Sequence, residues 1–209
     1  MAKVMPERKK GSWKKLPEAV RRETILKAAQ RCFACKGYSD TSVNDIAVSS
    51  GLTKGGIYFH FDSKDAIRAA LITEFTTTML QAADEIKACK LSAEQQLRTL
   101  INLLVERMGE DNGLLLTITE AVSRHGTGIE EIQNYYQQIA GKVAEIILAG
   151  QANGEFSNQR NIEILVEILL TSVSGLALHR ELCRAGVDVC TSKIQVVDYL
   201  LSMIKLPGV

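Results

Sequence analysis

Apolar residues recur at intervals of three and four along almost the whole chain, and that spacing confines it to helices. Ile67, Leu71, Phe75, Met79, Ala82 and Ile86 trace one such stripe. Leu97, Leu100, Ile101, Leu104 and Met108 trace a second, and Ile132, Tyr136, Ile139, Val143 and Ile146 a third. No long run alternates β-branched with polar residues, and no hairpin signal joins two such runs. The expected fold is all-α, with about nine helices by this count of stripes and caps.

Composition narrows the class further. A chain of 209 residues, 46% apolar and with three prolines, has enough material for a real core and is neither disordered nor collagen-like. The longest apolar stretch, Ile162 to Leu178, carries Glu163 and Glu167, so no membrane span is expected. The basic N-terminus is not followed by the apolar segment of a secretory signal, and five cysteines without a framework fit a reducing cytoplasm. No nucleophile elbow or P-loop occurs, and Gly126-Thr-Gly128 lacks the third glycine of a dinucleotide loop. Cys32-x-x-Cys35 falls inside a helical stretch with no second pair, so neither a metal nor a cofactor is expected.

Charge is distributed unevenly. Residues 1–65 hold 13 basic and 7 acidic residues, while the rest hold 12 and 17. The first 36 residues alone hold 11 and 3, a balance that suits a polyphosphate partner. Residues 1–16 read as a basic arm. A helix follows from Pro17 to Lys36 and stops at Gly37.

Downstream of it lies Thr41-Ser-Val-Asn-Asp-Ile-Ala-Val-Ser-Ser-Gly-Leu-Thr-Lys-Gly-Gly-Ile-Tyr-Phe-His-Phe61, which has the anatomy of a helix-turn-helix. Ser42 with Asp45 makes a capping box, Gly51 makes the turn, and Thr53 opens the second short helix. Val43, Ile46 and Ala47 are spaced to pack inward. Gly55 and Gly56 each weaken a helix by roughly 1 kcal/mol, which a close approach of backbone to bases or phosphates would justify.

These segments resemble the TetR family of transcriptional regulators. The resemblance begins at Ile25-Leu-Lys-Ala-Ala-Gln-Arg-Cys-Phe-Ala-Cys-Lys-Gly-Tyr38. It continues through Thr41-Ser42-Val43, Ile46-Ala47, Gly51 to Gly55, Ile57 to Phe61 and Ser63-Lys64. It implies a three-helix DNA-binding domain at about 17–62, and a ligand-binding and dimerisation domain at 63–209. It also implies that Thr41 and Ser42 meet phosphate, that Thr53, Lys54, Gly55, Gly56, Tyr58, Phe59 and His60 form the reading helix, and that Lys64 anchors to phosphate. Gly56 departs from the family's usual side-chain donor, which removes one contact. The implied partners are a palindromic duplex operator, a small-molecule inducer and a second copy of the chain, paired through the last two long helices.

Polar residues that interrupt apolar faces beyond residue 75 mark a candidate ligand cavity: Thr78, Asn102, Thr117, Glu120, Tyr135 and His179. Two alternatives remain open at this point. One is a regulator that responds to oxidation at Cys183 or Cys190; the other is a helical ligand-binding protein or enzyme that does not bind DNA.

Overall fold

The computed structural model describes residues 17–110, 129–158, 161–184 and 193–205. The expected arm at 1–16, the expected helix at 113–123 and the loop at 125–128 lie outside these residues. Eight helices are described: α1 (Glu18–Lys36), α2 (Val43–Ser50), α3 (Lys54–Tyr58), α4 (Lys64–Ala88), α5 (Ala93–Glu110), α6 (Ile129–Ala152), α7 (Ile162–Arg184) and α8 (Lys193–Ser202). The only bridge of extended backbone among the described residues pairs Phe156 with Lys205. None of these helices is long and apolar enough to cross a membrane. The chain forms two compact units, divided between Ala70 and Leu71, so α4 begins in the first and continues in the second.

In the first unit, local signals set each helix end. Gly37 takes φ 79°, and its N–H donates to Phe33 O at 2.8 Å, ending α1. Ser42 and Asp45 cap α2 reciprocally: Asp45 N–H donates to Ser42 Oγ (3.1 Å) and Ser42 N–H to Asp45 Oδ2 (2.9 Å). Gly51 closes α2 at φ 73°, a left-handed conformation that a side chain would strain. Ser63 accepts from Ala66 N–H at 3.0 Å and starts α4. The core of this unit joins Ile25, Ala29 and Phe33 of α1, Ile46 and Ala47 of α2, Ile57 of α3, and Phe61 and Ile67.

The second unit packs one continuous core from the later turns of α4 together with α5, α6, α7 and α8. Ser92 and Gln95 cap α5 as their spacing suggests. A second cap comes from far along the chain: the Glu155 carboxylate accepts from Ala93 and Glu94 N–H, both at 3.2 Å. The turn after α6 is locked by Gly154 at φ 74° and by Phe156, whose ring lies buried against Gly150. On α6 the inward aromatic is Tyr135 rather than the expected Tyr136. Positions 135, 139, 143 and 146 hold the buried phase, and Tyr136 stands about 100° round the helix, partly exposed. On α4, Ala83 rather than Ala82 is the fully buried alanine.

Candidate nucleic-acid interface

α3 presents a short, sparsely dressed surface. Thr53 caps it by accepting from Gly56 N–H at 3.1 Å. Ile57 is fully buried and Phe61 nearly so, and these two anchor the segment and leave its other side outward. On that side Lys54 is exposed, with its ammonium 5.9 Å from the centre of the Tyr58 ring, a cation–π distance. Tyr58 is 45% exposed and Phe59 75%, the highest value of any large apolar residue described. His60 is half-buried with its ring edge-on to Phe59 at 5.1 Å. Gly55 is exposed, and Ser42 stands exposed at the start of α2. Thus Ser42, Thr53, Lys54, Gly55, Tyr58 and Phe59 all lie at the surface.

Two residues expected at phosphates take inner positions instead. Thr41 is 1% exposed, and its hydroxyl donates to Gly37 O at 2.7 Å, tying the end of α1 to the start of α2. The Lys64 ammonium donates to Tyr38 O (2.7 Å), Ser39 O (3.2 Å) and Thr41 O (2.7 Å). An ammonium has three donors, so these carbonyls engage all of them.

The same turn holds a cluster that the sequence reading missed. The Tyr38 ring is flanked by Lys64 Nζ at 4.4 Å and Arg68 Cζ at 4.1 Å from its centroid. Tyr38 O–H and Arg68 Nη2 both donate to Asp65 Oδ1, at 2.7 and 2.6 Å. Arg68 is 2% exposed, so the guanidinium is retained by this partner and this ring rather than by solvent. Its signal in the sequence was a basic residue lying within the inward stripe of α4, between Ile67 and Leu71. A second bolt joins α1 to α2: Lys36 Nζ donates to Asp45 Oδ1 at 2.6 Å. That hydrogen bond, with those from Ser42, holds the Asp45 carboxyl well below the usual range and raises the Lys36 ammonium.

The candidate ligand residues of the second unit that the structure describes differ in exposure. Tyr135 is buried, edge-on to Phe75 (5.9 Å) and Tyr136 (5.7 Å), and burial pushes its phenol above the usual range. Asn102 is half-buried, whereas Thr78 and His179 are exposed, and Thr78 donates to Glu74 O. Thr117, Glu120 and Cys190, and the side chain of Cys183, lie outside the described residues. A groove of about 640 Å³ runs instead between α6 and α7. Ala140, Gly141 and Ala144 form one wall and Val166 and Leu170 the other, with Tyr136 Oη and Ser174 Oγ hydrogen-bonded across it at 3.1 Å. No group of three His, Cys, Asp or Glu that could hold a metal occurs among the described residues.

A helix-turn-helix head whose second helix is exposed has the geometry with which such motifs enter a major groove. Residues 25–71 match the sequence model of "Bacterial regulatory proteins, tetR family". The chain is 26% identical over 206 residues to the transcriptional repressor BepR of Brucella suis, covering 93% of this chain and 96% of BepR. Its fold matches the ketosteroid regulator KstR2 of Mycobacterium tuberculosis with a TM-score of 0.72 at 18% identity, over 89% of this chain and 95% of that one. It also matches SmeT, repressor of a Stenotrophomonas maltophilia multidrug efflux pump, with a TM-score of 0.71 at 21% identity, over 90% and 91%. KstR2 of Rhodococcus jostii, 25% identical over 71% of this chain and 74% of its own length, is likewise named a transcriptional repressor.

Proposed function

We propose that this regulator is a homodimeric repressor whose two α3 helices read a palindromic duplex operator, and that a small molecule held by the second unit releases it. The observation that carries this reading is the outward face of α3. Lys54, Tyr58 and Phe59 are exposed beside a glycine, on a helix whose other side is fixed by Ile57 and Phe61. In this reading the contacts to DNA come from Ser42, Thr53, Lys54, Gly55, Gly56, Tyr58, Phe59 and His60. Thr41 and Lys64 hold the head in shape from inside.

The second copy is assigned to the outer side of α7. Ile164, Ile168 and Leu178 remain exposed there, while Leu165, Val166, Leu169 and Val173 fill the core. A helix apolar on both sides needs a cover that the described residues of one subunit do not supply. With a two-fold axis at that seam, the reading helices meet the duplex about one turn, ~34–36 Å, apart. Release acts through α4, which begins in the head and continues in the second unit. Lys64, Asp65 and Arg68 fasten its first turns to Tyr38, so those turns and the head move as one body. Shifting the population from about 1:99 to 99:1 requires the inducer to favour the released state by ~5.5 kcal/mol.

The test is a mobility shift with a randomised duplex pool at low salt, alongside sedimentation of the free protein. The reading expects a dimer, enrichment of two-fold symmetric sequences, and loss of binding in the Lys54→Ala/Tyr58→Ala variant. A monomer that retains no duplex overturns it.

A further inference from the structure

We infer that Gly55 and Phe59 together form a slot for the C5-methyl group of thymine, so that each head selects one thymine by apolar contact rather than by a hydrogen bond. This rests on the reading of α3 as the element that meets DNA. Two independent observations carry it.

The first is that nothing among the described residues explains Gly55. Its φ is not in the left-handed region, and a Cβ built there would meet no atom within 4 Å. A glycine within a helix is nevertheless less stable than alanine, and the close approach of a partner to the bare backbone accounts for it. Gly56 differs, because a Cβ there would press on Thr53 Oγ1 at 3.3 Å, the atom that caps the helix.

The second is Phe59. Ile57 and Phe61 take the buried positions around it, and among the described residues the aromatic ring it meets is that of His60, edge-on. A phenylalanine left 75% exposed contributes little to the fold and offers a large apolar face to a partner. Phe59 lies one turn after Gly55, and its N–H donates to Gly55 O at 3.0 Å. Residues four apart share a helix face, so Phe59 and the uncovered backbone of Gly55 lie on the same outward side. In the major groove only thymine presents a methyl group, and phenylalanine is among the residues that contact it. Neither Gly55 nor Phe59 has a side-chain donor or acceptor, so at this point of the surface only shape and apolar contact distinguish the bases.

The experiment uses the full chain and a duplex selected by it from a randomised pool. Each thymine of that duplex is replaced in turn by deoxyuridine, which keeps every hydrogen bond and removes the methyl. One thymine in each half-site is expected to be sensitive, with affinity falling about fourfold for one lost methyl and about fifteenfold for the symmetric pair. In Phe59→Ala the two duplexes bind equally, because the cycle removes the partner of the methyl. Gly55→Ala raises thermal stability while weakening operator binding by about tenfold, the size of one mismatched base pair. A merely structural role for these residues would not give those opposite signs. The inference is overturned if every deoxyuridine is tolerated within about twofold, or if the sensitivity persists unchanged in Phe59→Ala. If the wild-type chain enriches no duplex at all, the reading of α3 itself fails, which is a separate and visible outcome.

Discussion

Gly150 offers the sharpest test of how the second unit is packed. It lies within α6, where a glycine-to-alanine change normally gains up to about 1 kcal/mol of helix propensity. Here a Cβ would stand 2.3 and 2.5 Å from two carbons of the Phe156 ring and 2.9 Å from Ala93 Cβ. The ring has little freedom to retreat. Phe156 is 2% exposed, its N–H donates to Gly150 O, and the next residue donates from Ser157 N–H to Ile204 O at 2.9 Å. Overpacking costs about 1–3 kcal/mol, and contacts this short put it at about 2–3 kcal/mol, so after about 1 kcal/mol gained in propensity Gly150→Ala loses about 1–2 kcal/mol. For a chain of this size that lowers the melting temperature by about 2–8 °C. Urea denaturation at fixed protein concentration measures it. Phe156→Ala alone empties a core site and costs about 3–5 kcal/mol. In that background Gly150→Ala loses most of its penalty, because two of its three close neighbours are gone, and the cycle shows a coupling of about 1 kcal/mol or more. A Gly150→Ala protein as stable as wild type, or a penalty that is the same with and without the Phe156 ring, refutes the packing argument.

Three further outcomes follow from the same structure. In salt titrations of duplex binding, Lys54→Ala lowers the slope of log affinity against log salt by about 1 per head, whereas Lys64→Ala leaves the slope unchanged and lowers the melting temperature instead. A reduced slope in Lys64→Ala would return that ammonium to the phosphates. Asp45 is held below the usual carboxylate range in the folded chain by Lys36 and Ser42. Its contribution is therefore present above the ordinary value of about 3.9 and fades as the pH falls through the lower folded value. The stability difference between wild type and Asp45→Asn, followed by acid titration, shrinks accordingly; a difference that grows below that pH contradicts the assignment. Ile168→Glu places a charge on the outer side of α7 and leaves the subunit core untouched, so sedimentation should show folded monomers with weakened binding to a palindromic duplex. A dimer of unchanged stability would move the seam elsewhere.

The helix boundaries of the head were legible because each is set by residues within four positions of one another. Gly37 and Gly51 at positive φ, the Ser42–Asp45 box and the Thr53 cap all declare themselves in a short window. What the window hides is a partner far along the chain. Lys64 looks like any exposed lysine at a helix start, and only the fold brings it to carbonyls 23 to 26 residues earlier. Glu155 likewise caps a helix that begins 62 residues before it. The ligand residues were hard to read for a different reason. A polar residue on an apolar stripe marks a cavity only if the phase of the helix is known to within one position. On α6 the phase turned out to favour Tyr135, while Thr78 and His179 face outward.

The head also separates two tasks that a longer reading helix would mix. Its shape is determined many times over: by Tyr38 between Lys64 and Arg68, by Lys36 on Asp45, by Thr41 on Gly37, and by Ile57 and Phe61 in the core. None of those residues is on the outward face of α3. Conversely Gly55, Tyr58 and Phe59 face outward and lie outside that inner framework, apart from the turn-to-turn hydrogen bonds every helix makes. Substitutions on the outward face therefore change what is read at little cost in folding, since surface changes away from caps and cores usually stay within about 0.5 kcal/mol. Substitutions in the framework act the other way, lowering affinity for all duplexes together by loosening the head. Measuring both stability and sequence preference for Tyr58→Ala and Arg68→Met distinguishes the two groups: the first should alter preference at unchanged melting temperature, and the second should lower the melting temperature while leaving the preferred sequence intact.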